Sequence, residues 1–288
     1  MISSLARKVP ILSYLEIVKP RETFLLVFIG ACAGVIASNG YFATDKFLII
    51  IIALLLGSAG SNGITNYLDR HVDTRMVRTK YRALPSQLIY PPEKSLLMVI
   101  PLILVALFLA WLVNPICFII GLVGVLASSL WRKTITCTFF GIIAGCSPIL
   151  IGWFAFNRSL NLTILLLCLL VVFWIPVHVW SVIVARRNEY LSAGLTYFPI
   201  NLNTKIIVTM IFILNCLLVV VSICLYLFAG FQLLYLIVAV AIGTLMVIAT
   251  GNLVLNTNSK ISWSVYKLSS FPYLGLLFAS MVADLLLR

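Results

Sequence analysis

Four oxygen-bearing side chains recur at helical spacing in the first third of the chain: Asn62, Asn66, Asp69 and Asp73. Residues at this spacing share one face of an α-helix. Two carboxylates one turn apart can hold a hard divalent cation together. In proteins Mg²⁺ commonly takes one or two carboxylates, some waters and the phosphate oxygens of a substrate. The pattern therefore predicts a site at Asp69 and Asp73 for Mg²⁺ and a phosphorylated substrate.

Three basic residues follow this acidic face directly: Arg78, Lys80 and Arg82. Guanidinium and ammonium groups pair well with phosphate oxygens, so the cluster suits a diphosphate. The alternative is a solvated loop whose basic residues only record the orientation of the chain in a membrane. The asparagines favour the site, because such a loop gives no reason for a polar face to extend into the apolar run before it.

The composition indicates a membrane protein, since 62% of the 288 residues are hydrophobic and only 10% are charged. A disordered chain is excluded and a soluble domain is disfavoured. One bilayer crossing needs about 20 helical residues. We predict an all-α polytopic membrane protein, a single domain over residues 1–288, with about nine spans: 23–40, 47–67, 95–113, 115–131, 136–156, 161–185, 205–228, 231–254 and 268–286.

The basic residues predict the orientation of these spans. Of the 20 Lys and Arg residues, all but Lys46, Arg158 and Arg288 fall at the N-terminus or in the loops after spans 2, 4, 6 and 8. The positive-inside rule places that side in the cytoplasm, at the cell membrane. The net charge of +12 therefore reflects orientation, and no segment resembles a nucleic-acid module, so no nucleic-acid partner is expected.

The spans themselves carry almost no ionisable groups. Asp284, near the end of the last span, is expected to reach the membrane interface. Ion pumps and proton-coupled transporters usually place charges in the bilayer, so this pattern disfavours a transporter and places the chemistry at the cytoplasmic helix ends.

A second group of polar residues follows span 6. Glu189 is the only acid in this loop, and Tyr190 follows it. Within span 6, Pro176 is expected to kink the helix near His178. Two interpretations of His178 stay open, a helix-packing hydrogen bonder and a functional residue.

These motifs resemble the UbiA superfamily of membrane prenyltransferases. Asn66 to Asp73 matches the superfamily's first aspartate-rich motif, N-x-x-D-x-x-x-D, and Met76 to Arg82 matches the M-x-R-T-K-x-R of its heme-farnesylating branch. Weaker matches to that branch lie at residues 16–23, 141–153 and 174–199. The chain departs from the pattern at Ala83, where the branch usually has proline, and in its second acidic loop, which has only Glu189.

The resemblance implies a UbiA-like helix bundle and a specific reaction. A farnesyl group would pass from farnesyl diphosphate to a vinyl group of protoheme IX, with water supplying a hydroxyl, to give heme O. It implies partners from the heme pathway or from terminal-oxidase assembly. It also implies three sets of site residues: Asp69, Asp73 and Asn66 at the Mg²⁺; Arg78, Lys80, Arg82 and Arg132 at the diphosphate; and His178, Glu189 and Tyr190 at the acceptor or second acidic loop.

Two other activities stay open, a UbiA-type enzyme acting on a quinone precursor or a glycerol-phosphate lipid, and a membrane transporter. A large flat acceptor needs a lateral opening, which we expect where Gly141, Gly145 and Ser147 of span 5 face Pro176 of span 6. The alternative is that these small residues only allow close helix packing.

Overall fold

The computed structural model of the chain describes residues 11–130, 133 and 136–287. All regular structure in this part of the chain is helical. Helices suit the composition, because a chain in hydrocarbon must satisfy its backbone hydrogen bonds internally. The helices are α1 (Ile11–Ile17), α2 (Pro20–Ala37), α3 (Thr44–Asp73), α4 (Lys94–Val113), α5 (Pro115–Leu130), α6 (Cys137–Phe156), α7 (Leu162–Ala185), α8 (Arg187–Ser192), α9 (Thr204–Ala229), α10 (Leu233–Leu255), α11 (Ser259–Leu268) and α12 (Leu276–Leu286).

The predicted multi-pass architecture is confirmed. Within the described ranges, eight helical stretches are long and apolar enough to cross a membrane, and α5 is a ninth, shorter apolar helix of 16 residues. Two crossings are longer than predicted. α3 continues to Asp73, and the last crossing starts at Ser259, where α11 is joined to α12 by a π-helical turn, Ser269–Gly275.

The helices pack into a closed arrangement. α2 packs on α3 and α6, α6 packs on α7, and α12 returns to pack on α2. The crossing of α2 and α6 depends on glycine, since a Cβ at Gly152 would lie 1.9 Å from the carbonyl oxygen of Gly30. These contacts hold the carboxyl end of α3 beside the turn between α1 and α2.

The last crossing is broken where it meets α7. Ser270 has a non-helical ψ of −139°, and Pro272 lies two residues later. The indole N–H of Trp174 donates to the backbone carbonyl of Ser269, and the His178 Nδ1 lies 3.0 Å from the Ser269 hydroxyl oxygen. Side chains of α7 thus supply partners at the break, as polar groups commonly do where a membrane helix is interrupted.

Asp284 is buried within the protein, with 2% of its surface exposed. That it lies at the level of the membrane interface stays a prediction. Its carboxylate accepts hydrogen bonds from the backbone N–H groups of Gln232 and Tyr235, at 2.5 and 3.2 Å. The first N–H groups of a helix lack partners within the helix, so an acceptor from another helix stabilises the start of α10.

At Gly145 the structure favours close packing of α6 and α7 over a lateral opening between them. A Cβ at Gly145 would lie 3.2 Å from side-chain atoms of both Val171 and Ile175. The small residues of α6 let the two helices approach closely, which is their common role in membrane bundles.

Candidate active site

The end of α3 carries the predicted polar face. Asn66, Asp69 and Asp73 lie on this one helix and are 8%, 7% and 1% exposed. Asn62 is half-buried, one turn before them. We call these four residues the acidic stripe. Carboxylates are rarely buried to this extent unless cations or hydrogen-bond donors surround them.

Asp73 is neutralised by two cations from different segments. The guanidinium of Arg82 lies 3.3 Å from its Oδ2, and the ammonium of Lys133 contacts its Oδ1. The Thr79 hydroxyl donates to the backbone carbonyl of Asp73, at 3.1 Å, and folds the following loop back against the helix end. Arg82 was predicted from the sequence, whereas Lys133 was counted only as a basic loop residue.

The asparagines of the stripe hold the turn between α1 and α2. The Asn62 amide donates to the Thr23 hydroxyl at 3.0 Å, and the Asn66 amide donates to the backbone carbonyl of Ile17. Since Asn66 uses its Nδ2 in this contact, its amide oxygen is the atom available to a cation. The stripe therefore positions a second segment of the chain at the site.

Lys19 lies in that turn and was missed as a site residue. Its backbone is left-handed, with φ 46°. Burial lowers the pKa of its ammonium, and Arg82 lowers that pKa further, while Glu22, Asp69 and Asp73 oppose the shift. The stretch Glu16 to Thr23, which resembles the family at the start of span 1, was the sequence signal that could have found it.

The second polar loop meets the first through Glu189. This residue lies on the short helix α8, and its Oε1 accepts a hydrogen bond from the backbone N–H of Arg78 at 2.6 Å. The neighbouring Tyr190 is buried, which raises the pKa of its phenol to about 12 and keeps it protonated. Arg78, Glu189 and Tyr190 therefore lie at the same end of the bundle as the acidic stripe.

The remaining predicted residues lie apart from this group or outside the described part of the chain. Lys80 is exposed, and its Nζ lies 4.9 Å from the centre of the Tyr81 ring. His178 lies on α7, stacked on Trp174 with ring centres 4.8 Å apart. Arg132 falls outside the described residues.

The donor chemistry of the stripe fits Mg²⁺. Asp69, Asp73 and Asn66 offer only oxygen atoms to a cation, as Mg²⁺ prefers. Among the described residues, no group of three or more His, Cys, Asp or Glu side chains comes together, which disfavours a site built like those of zinc. Two carboxylates are enough for Mg²⁺ when water and substrate phosphate complete its shell.

The chain matches the model of the UbiA prenyltransferase family over residues 25–271. It is 33% identical over 283 residues to the protoheme IX farnesyltransferase of Desulforudis audaxviator, covering 96% of this chain and 89% of that protein. It is 30% identical over 273 residues to the protoheme IX farnesyltransferase of Thermoplasma volcanium, covering 92% and 94%.

Solved structures share the fold at low sequence identity. A structure of digeranylgeranylglyceryl phosphate synthase has a TM-score of 0.79 at 20% identity, covering 96% of this chain and 99% of that one. A UbiA homologue from Archaeoglobus fulgidus bound to GPP and Mg²⁺ has a TM-score of 0.66 at 15% identity, covering 93% and 99%. From its fold, its motifs and this match over most of its length, the chain belongs to the UbiA prenyltransferase family.

Proposed function

We propose that this membrane protein is a protoheme IX farnesyltransferase, which moves the farnesyl group of farnesyl diphosphate to a vinyl group of protoheme IX and so makes heme O. The observation that carries the proposal is the acidic stripe, whose buried Asp73 is paired with Arg82 and Lys133. Two relatives with at least 30% identity over nearly the whole chain, both named for this activity, support the choice of acceptor.

The charges at the end of α3 account for binding of the diphosphate. Arg82, Lys133 and Lys19 surround the stripe, and Arg78 follows it in the chain. We propose that these cations, with Lys80 and Arg132, receive the phosphate oxygens. Fixed cations stabilise the negative charge that grows on the diphosphate as the allylic C–O bond breaks and its electron pair leaves.

Mg²⁺, when bound by Asp69, Asp73 and the Asn66 amide oxygen, would neutralise part of the diphosphate charge. Arg82 and Lys133, which contact Asp73, would hold phosphate oxygens beside it. Asn66 also fixes the α1–α2 turn that carries Lys19. In this account the stripe orients the leaving group, and the apolar bundle below it receives the farnesyl chain.

The acceptor step follows from the chemistry of the vinyl group. Its terminal carbon forms a bond to the farnesyl carbon that lost diphosphate, and the positive charge passes to the adjacent carbon beside the porphyrin. Water adds there and releases a proton, which leaves a hydroxyl group. Glu189 and Tyr190 lie at this end of the bundle, and we propose that they border the acceptor.

The distribution of basic residues supports an orientation with the N-terminus and the stripe in the cytoplasm, at the cell membrane. We propose that residues 1–288 act as one prenyltransferase domain and that the product passes to heme-pathway or terminal-oxidase assembly partners.

An acceptor panel tests the function. Purified protein receives farnesyl diphosphate and Mg²⁺ with protoheme IX, with a phenolic quinone precursor, or with a glycerol-phosphate lipid. We expect a prenylated product from protoheme alone. A product only from one of the other two would replace the heme assignment with another UbiA-type reaction, and no prenyl transfer to any acceptor would contradict the enzyme assignment.

A further inference from the structure

A cleft beside α8 adjoins the site described above and shares Glu189 with it. It has a volume of about 480 Å³ and lies among the end of α7, α8, the start of α9 and the start of α11. We call it the α8 cleft. Its polar lining residues include Arg186, Arg187, Glu189, Thr204, Asn258 and Ser259. Because Glu189 also accepts the Arg78 N–H, the cleft directly adjoins the loop that follows the acidic stripe.

The α8 cleft is lined by two arginines and one carboxylate, Glu189, which already accepts the Arg78 N–H. Arg187 is held by hydrogen bonds to the Thr204 hydroxyl and to the Ile200 carbonyl, the latter at 2.9 Å. Arg186 is exposed and its guanidinium lies 4.9 Å from the centre of the Trp263 ring. Within the described part of the chain, neither arginine forms an ion pair. Guanidinium groups in this setting favour a carboxylate or phosphate ligand.

A row of aromatic rings leads from Arg186 into the apolar part of the bundle. Trp263 lies 4.8 Å from Tyr266, and Tyr266 lies 4.6 Å from His178, both measured between ring centres. His178 then stacks on Trp174. Trp263, Tyr266 and His178 are each partly exposed. The row therefore offers ring surface beside the α8 cleft, which adjoins the Arg78 loop through Glu189.

We propose that the α8 cleft binds the carboxylates of the tetrapyrrole acceptor, whose flat ring lies against the aromatic row; this inference rests on the proposed function. Protoheme carries two propionates on one edge of an apolar ring and its vinyl groups elsewhere on the periphery. Guanidinium groups beside stacked rings match that division of charge and apolar surface. In this arrangement His178 contributes ring surface, with its Nδ1 on Ser269.

A lipid phosphate can bind guanidinium groups in the same way as a propionate of protoheme, so the experiment separates these two ligands. Binding of protoheme and of its dimethyl ester is followed by absorbance titration, in nanodiscs with and without anionic lipid. We expect wild-type protein to bind the ester about tenfold more weakly, the loss typical of a charge-assisted hydrogen bond. This preference should be independent of anionic lipid.

Variants then test whether the α8 cleft causes the preference for protoheme over its dimethyl ester. Arg186→Gln should reduce the acid-to-ester ratio of dissociation constants to about twofold or less, because the charge that recognises the acid is gone. Arg186→Lys should keep most of it. Lys94→Gln, which removes one exposed charge at the start of α4, is the matched control and should leave the ratio unchanged. Comparison of this ratio between variants cancels the different partitioning of acid and ester into lipid.

Several results would overturn the inference. Equal binding of acid and ester by the wild type, or an unchanged ratio in Arg186→Gln, would show that the cleft does not recognise the acceptor. An Arg186 effect that depends on anionic lipid and not on esterification would assign the cleft to lipid. If the wild type converts acid and ester equally, the inference fails while the proposed function stands; if it neither binds nor converts either, both fail.

Discussion

The Glu189 carboxylate lies 2.6 Å from the backbone nitrogen of Arg78, although 111 residues separate them in the chain. The contact ties α8 to the loop that carries Arg78 and Arg82. Glu189 is the single acid of α8, and it contacts the loop that follows the first aspartate-rich motif. The two halves of the site therefore depend on each other.

This contact predicts different effects for two substitutions of Glu189. Glu189→Ala removes the acceptor and should lower kcat/KM for farnesyl diphosphate about tenfold. Glu189→Gln keeps an acceptor oxygen and should retain most of the activity. Steady-state kinetics of both variants measure this. Equal and severe losses would instead indicate that the negative charge of Glu189 is required, as a metal-binding role demands.

Ala83 makes a hydrogen bond that a proline could not make. Its backbone N–H donates to Glu16 Oε2 at 3.2 Å, and joins α1 to the loop after α3. Ala83→Pro should therefore destabilise the protein by about 1 kcal/mol and lower its thermal midpoint. The double variant with Glu16→Ala is the control, since the two losses should not add if they remove one interaction. Additive losses would mean that the proline acts through backbone strain.

Lys19 predicts an alkaline limit to diphosphate binding. The pKa of its ammonium is lowered below the usual 10.5, so the charge is present at low pH and is lost as pH rises through that lowered pKa. KM for farnesyl diphosphate should then rise by up to about tenfold on the alkaline side. Lys19→Arg stays charged and should remove this rise, whereas Lys94→Arg should keep it. Superimposable KM profiles for wild type and Lys19→Arg would exclude Lys19 from diphosphate binding.

The orientation predicts the labelling of two exposed positions. In a variant whose seven cysteines are replaced, Val77→Cys and Arg158→Cys each add one thiol at an exposed residue. An impermeant maleimide should label position 158 in intact cells, and position 77 only after the membrane is opened. Labelling of both from outside, or of position 77 alone, would contradict the topology.

The acidic stripe could be predicted because a single helix positions it. The 3.6-residue period and the residue types place Asn62, Asn66, Asp69 and Asp73 on one face regardless of the rest of the fold. The spans were equally readable, since length and apolarity largely determine a membrane helix. The ends of the spans were harder to predict. α3 stays helical to Asp73, where Arg82 and Lys133 neutralise the buried carboxylate.

Residues from distant segments could not be placed in this way. Nothing near Lys133 in the sequence indicates that it reaches the end of α3, because only tertiary packing brings it there. For Lys19 the one signal is that residues 16–23 resemble the family, and this gives no position relative to α3. The opening expected between α6 and α7 could not be decided from the sequence for a related reason. Small residues accompany both cavities and close helix contacts, and only the neighbouring Val171 and Ile175 show that contact is the outcome here.

Farnesyl transfer by wild type and by Asp73→Asn, with Asp45→Asn as control, tests the central claim most directly. Asp73 and Asp45 lie at opposite ends of α3, and Asp45 is exposed. Mass spectrometry of the pigment formed from protoheme, farnesyl diphosphate and Mg²⁺ gives the product and its rate. Wild type and Asp45→Asn should form heme O at similar rates, and a chelator should abolish heme O formation by both. Asp73→Asn should form heme O well over tenfold more slowly. Heme O formation by Asp73→Asn at the wild-type rate would contradict the assignment of the acidic stripe as the active site.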